Sequence, residues 1–139
     1  MHHPFMSAVA SQLAERAIAT LRYQFPYMER SSKRPDPPQL CYATVRAAVA
    51  TATQLGPALP RFAGGKSFGG RMTSQSAAER PLPSTLGLVF LGFPLHAPGK
   101  PGEARAQHLE RLALPMLFLQ GTRDQFAEPP LLRALIERL

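Results

Sequence analysis

The sequence has almost no cysteine and no tryptophan. Cys41 is the single cysteine among 139 residues, so an internal disulfide is excluded and a reducing compartment, the cytoplasm, is the expected setting. Long apolar runs are missing as well: none approaches the roughly twenty residues that a membrane-spanning helix needs. The opening MHHPFMSAVASQLAER has no basic segment leading into an apolar stretch, so neither a signal peptide nor a membrane partner is expected. Its His-His pair is too short for an affinity tag and reads as native. Acidic residues are scarce, 9 against 16 Lys and Arg, which leaves a net charge of +7. Such a balance can signal nucleic acid. Here the arginines are scattered through an alanine-rich chain. Only ERSSKRPDPP (29–38) concentrates charge; two acids interrupt it and no aromatics interleave for base stacking. It reads as solvated surface, with no nucleic-acid partner. No cluster has metal-ligand spacing, so neither a metal nor another cofactor is expected.

What is present is a 45% hydrophobic, 18% charged chain, globular and of a size for one domain with a modest core. Phe5, Val9 and Leu13 recur four apart, with Met6 beside them, and predict a helix over 3–17. In 20–25, Leu21, Tyr23 and Phe25 alternate like a half-buried strand. After a Pro-rich loop, 40–55 carries Cys41, Val45, Ala48, Val49 and Ala52 on one helical stripe, ended by Gly56 and Pro57. A short strand over 59–63 runs into glycines, and 68–80 suits a helix. LGLVFLG (86–92) and MLFLQG (116–121) read as buried strands, separated by a loop and a short helix over 106–112. The last helix, entered through Pro129 and Pro130, spaces Leu132, Leu135, Ile136 and Leu139 helically. Short buried strands alternating with helices predict an α/β fold: a parallel sheet of about four recognisable strands with helices on both faces, in a single domain over 1–139.

The stretch FAGGKSFGG (62–70) admits two chemistries. Its GKS resembles the end of a phosphate-binding loop, G-x-x-x-x-G-K-[ST]. That loop needs a glycine at position 60 so that successive N–H groups can turn around the phosphate. Pro60 stands there, with no N–H and a fixed φ, so the mechanism of the motif is missing. The alternative is G-x-S-x-G, a nucleophile on a sharp strand-to-helix turn. Ser67 would adopt a strained backbone there, Gly65, Gly69 and Gly70 would supply room, and the Phe68 N–H would face a developing oxyanion. A Gly-rich turn without chemistry is the blander reading.

A serine nucleophile needs a base and an orienting acid. LQGTRDQF puts Asp124 just after a buried strand, where a triad acid belongs; a lone Asp after glycine also suits a turn or cap. No histidine follows Asp124. His2, His3, His96 and His108 all precede it. His96, in a loop on the Ser67 edge, is a pocket or substitute-base candidate, with a surface-loop histidine the plainer expectation. His108 is expected to be solvated. Lys66 and Arg71 flank the turn, Lys66 able to attract an anionic substrate and Arg71 to brace loops, and both count as pocket candidates. Cys41 is expected as a small core residue.

The segments HPFM (3–6), ATLRYQFPYM (19–28), GGKSFGGRM (64–72), GLVFLGFPLHAPGKP (87–101) and PMLFLQGTRD (115–124) together resemble the α/β-hydrolase superfamily. The specific likeness is to predicted hydrolases related to dienelactone hydrolases, a group that includes the third regulatory subunit of the non-specific-lethal acetyltransferase complex. The resemblance implies Ser67 as nucleophile and Asp124 as acid. Family members also carry a strand with a His-Gly-rich oxyanion loop before HPFM and a Gly-x-x-His segment after the acid. The chain is therefore expected to be truncated at both ends, with Met1 an internal methionine, and to be marginally stable. The missing strand would leave a vacant slot between strands 20–25 and 59–63. The implied function is a serine hydrolase acting on a small-molecule ester, thioester or lactone, impaired by the absent base. The alternative is a non-catalytic hydrolase-like binding or scaffold module. Oligomeric state is left open.

Overall fold

A computed structural model describes residues 3–139; Met1, read above as an internal methionine, and His2, read as native, lie outside them. In chain order the elements are helix α1 (Pro4–Ala14), α2 (Pro26–Glu29), α3 (Pro38–Leu55), strand β1 (Arg61–Lys66), α4 (Phe68–Glu79), β2 (Thr85–Leu91), a 3-10 turn (Gln107–Arg111), β3 (Met116–Leu119) and α5 (Pro129–Ile136). Helices α1, α2, α3 and α5 all begin on proline. The ring presets φ for a helix, and its missing N–H is one that no helical acceptor would have met. Four of the fifteen prolines therefore mark helix starts, including that of α2 inside the segment expected to be loop.

The three strands are parallel and ordered β1-β2-β3. Ala63 aligns with Leu88, and Leu88 with Met116. In a parallel sheet such partners share a face, so Ala63, Leu88, Phe90, Met116 and Phe118 form one apolar surface. Phe93, Leu95, Leu109, Leu132 and Leu135 close over it from the following loop, the 3-10 turn and α5. A second cluster joins Cys41 and Val45 of α3 to Met72 and Ala77 of α4. Cys41 is fully buried, as a small core residue should be. Helices surround the sheet unevenly. Away from the packed face, Phe62, Leu117 and Leu119 remain 63%, 52% and 53% exposed.

The sheet has three strands where the sequence predicts about four, because 20–25 forms no ladder among the described residues. The alternation of Tyr23 and Phe25 is real but has another cause. Phe25 is buried against Phe68, ring edge to face at 5.5 Å, and Tyr23 packs on Phe25 at 5.7 Å, while Leu21 stays exposed. An extended segment wedged against helices shows the same period of two as a strand. The outer edge of β1 thus has no strand partner among the described residues. No helix among them is long and apolar enough to cross a membrane.

Candidate active site

Ser67 lies between the last residue of β1 and the first of α4, with φ 49° and ψ −114°. A positive φ in a residue bearing a Cβ is strained and persists only where surrounding contacts enforce it. Here the Ser67 N–H donates to the Leu91 carbonyl at the end of β2 (3.1 Å), and the Arg71 N–H donates to the Ser67 carbonyl (3.2 Å). The turn is held from both the sheet and the helix. The Phe68 N–H has no backbone acceptor among the described residues, as is usual in the first turn of a helix.

The glycines allow the close approach, though not all those expected. A Cβ on Gly64 would lie 1.9 Å from the Val89 carbonyl oxygen, and one on Gly70 would lie 2.7 Å from that of Gly65. These contacts seat the C-terminal end of β1 against β2 and α4. Gly69, expected to supply room, would meet nothing within 4 Å. Gly64, the tightest position, was not singled out by the sequence because it lies outside G-x-S-x-G.

Asp124 follows β3 on the same edge as Ser67. Its Oδ2 accepts from Gln120 Nε2 (2.7 Å) and its Oδ1 from the Phe126 N–H (2.9 Å). The second bond is the local turn that a lone Asp favours; the first is not local in purpose. Gln120 also accepts the Phe93 N–H through Oε1 (2.7 Å), so one amide ties Asp124 to the loop leaving β2. That loop turns at Gly92, φ +75°, where a Cβ would stand 3.6 Å from Asp124 Oδ2. Gln120 went unnoticed in the sequence; its only signal there is its place at the end of a buried strand.

The histidines are the main departure from expectation. His96 is buried, not a surface-loop residue. Its Nδ1 lies 2.8 Å from the Ala97 carbonyl and its Nε2 pairs with a Glu128 carboxylate oxygen. Carbonyl and carboxylate are both acceptors, an environment that favours the doubly protonated ring. The Ala97 carbonyl and Glu128 accordingly hold its pKa above the ordinary value. Both ring nitrogens thus have partners other than Ser67. His108 is likewise buried and not solvated: Nε2 lies 2.7 Å from Ser74 Oγ, and burial depresses its pKa to about 4. The reason is that the 3-10 turn folds onto α4, turning the apolar side of QHLER inward together with the ring. Among the described residues no histidine hydrogen-bonds Ser67.

Lys66 is exposed at the end of β1. Arg71, one turn into α4, is half-buried with its guanidinium carbon 5.5 Å from the Phe68 ring centroid. No group of His, Cys, Asp and Glu among the described residues is arranged to hold a metal ion. A family model described as an alpha/beta hydrolase domain matches residues 1–137. No solved structure matches the chain.

Proposed function

The chain belongs to the alpha/beta hydrolase domain family, and from that premise we propose that it carries the nucleophile and acid of a serine hydrolase acting on an ester, thioester or lactone. The observation that carries this reading is the backbone of Ser67, strained at φ 49° between a strand and a helix. Ala17, Ser31 and Ser84 share a positive φ, but among these Ser67 alone stands directly between a strand and a helix, where the strain raises a hydroxyl above the sheet edge. Ser67 Oγ attacks the acyl carbon as its proton passes to a base from solution, the carbonyl oxygen gathers charge toward the Phe68 N–H and the positive end of α4, and the leaving group departs with that proton to give an acyl-enzyme that water hydrolyses. Asp124 is the acid that would orient an imidazole. The dienelactone-hydrolase-like subgroup and a cytoplasmic setting are part of this proposal.

His96 and His108 are engaged elsewhere, so unaided turnover is slow. Removing one triad member leaves only the contribution of binding and the oxyanion site. Free imidazole tests this. It should accelerate hydrolysis of p-nitrophenyl acetate by the chain beyond its effect on Ser67→Ala, because it replaces the missing base at Ser67. Equal rates for the two proteins at every imidazole concentration contradict the proposal. The same engaged histidines favour the second reading, a non-catalytic hydrolase-like binding module, and that outcome would support it.

A further inference from the structure

Three consecutive residues at the end of β2 hold both halves of the candidate site. The Leu91 carbonyl accepts the Ser67 N–H (3.1 Å), and the Gly92 N–H donates to the Leu119 carbonyl of β3 (2.9 Å). The Phe93 N–H donates to Gln120 Oε1 (2.7 Å), and Gln120 passes the connection on through Nε2, which donates to Asp124 Oδ2 (2.7 Å). The orientation of this amide is forced. A backbone N–H only donates and an ionised carboxylate only accepts, so a flipped amide would set donor against donor and acceptor against acceptor. The other bond to the carboxylate comes from the Phe126 N–H, two residues on, within the acid's own loop. It moves with that loop. Gln120 is the side chain that refers Asp124 to the segment on which the Ser67 turn also hangs.

We propose that Gln120 is a positioning residue, which fixes Asp124 in register with Ser67 through their shared anchor, Leu91 to Phe93. This rests on the reading of Asp124 as the acid of a serine hydrolase. A carboxylate that orients an imidazole needs a fixed direction, and a misplacement of about 1 Å can cost on the order of 10²-fold in rate. Held by Phe126 alone, the Asp124 side chain is free to turn with its loop. The isosteric Gln120→Glu isolates the tie. The new carboxyl still accepts the Phe93 N–H. Ionised, it faces Asp124 with like charge and nothing to donate; protonated, it donates as the amide did. The tie is then broken at high pH and restored at low pH without a change of shape.

The test is imidazole-assisted hydrolysis of p-nitrophenyl acetate, corrected for Ser67→Ala and taken as the ratio of variant to native chain at each pH from 8 to 5. Imidazole, His96 and Glu128 titrate alike in both chains and cancel in the ratio. Gln120→Glu should fall about tenfold or more at pH 8 and climb toward the native rate as pH drops. Gln120→Leu, which loses both bonds, should stay low throughout. The Phe126 amide proton, which reports the bond to Asp124, should shift in Gln120→Glu at pH 8 and return on acidification. A native rate for Gln120→Glu at pH 8 overturns the proposal. So do two variants equally low at every pH, which would mean that Gln120 only fills space. Should the native chain show no Ser67-dependent rate, the hydrolase reading fails by itself. The Phe126 proton then decides alone: a shift reversed by acid shows that Gln120 holds the carboxylate, and an unmoved signal shows that it does not.

Discussion

His108 Nε2 lies 2.7 Å from Ser74 Oγ, with both side chains buried between the 3-10 turn and α4. Ser74 Oγ in turn donates to the Arg71 carbonyl (3.0 Å), so the neutral ring donates into a short chain of hydrogen bonds. Protonating it would place a charge beside Arg71 and Arg111 in a poorly solvated site, which is why its pKa falls to about 4.

A depressed histidine pKa makes stability depend on pH. Between about 6.5 and 4 the unfolded chain binds a proton that the folded one refuses, so stability falls as pH drops through that window. The loss should reach on the order of 2 kcal/mol by pH 4. Urea midpoints of the native chain and His108→Gln, measured from pH 7.5 to 4, check this: the variant should start less stable and show a shallower decline. Parallel curves would contradict it.

The His96–Glu128 pair has the opposite sign. The folded pKa of His96 is raised, so its stabilisation is fully present below about pH 6.5 and is lost as pH climbs through the folded value. Glu128→Gln removes the carboxylate and should lower the His96 pKa, read from its ring-proton shifts. The neutral variant ring then no longer holds the loop whose Leu95 and His96 N–H groups donate to the Phe126 carbonyl (2.8 and 3.2 Å), two residues from Asp124. An unchanged His96 titration in Glu128→Gln would show that the carboxylate does not hold the proton.

Two alanines on either side of Ser67 should act in opposite directions. Gly64→Ala would drive a methyl to 1.9 Å from the Val89 carbonyl oxygen and must part β1 from β2, costing more than about 3 kcal/mol, enough to unfold a small domain. Gly69→Ala meets nothing within 4 Å and lies in the first turn of α4, where alanine should add about 0.5–1 kcal/mol. Thermal midpoints of the two variants give the comparison. A tolerated Gly64→Ala would mean that β1 and β2 are not packed as described.

The contrast explains which parts of the molecule were legible in its sequence. Strands β2 and β3 and helices α3 and α5 announce themselves through apolar runs and stripes, because burial selects the same residues whatever lies opposite them; α4 was legible only from its place after the Gly-Ser turn. The strained serine was legible through the G-x-S-x-G pattern between a strand and a helix, although its second glycine, Gly69, meets nothing within 4 Å. Residues 20–25 misled because alternation reports which side chains point inward, not what hydrogen-bonds the backbone. His96, His108 and Gln120 were illegible for a related reason: their partners, Glu128, Ser74 and Phe93, stand 32, 34 and 27 residues away, and only the closed fold brings them together.

The central claim is that the strained turn makes Ser67 a nucleophile. Intact-mass analysis after exposure to a fluorophosphonate tests it most directly, with the native chain, Ser67→Ala and the urea-unfolded chain side by side. The account predicts a single adduct that accumulates slowly on the folded native chain and is absent from the other two. No adduct on the native chain, or an adduct that survives in Ser67→Ala, would contradict it.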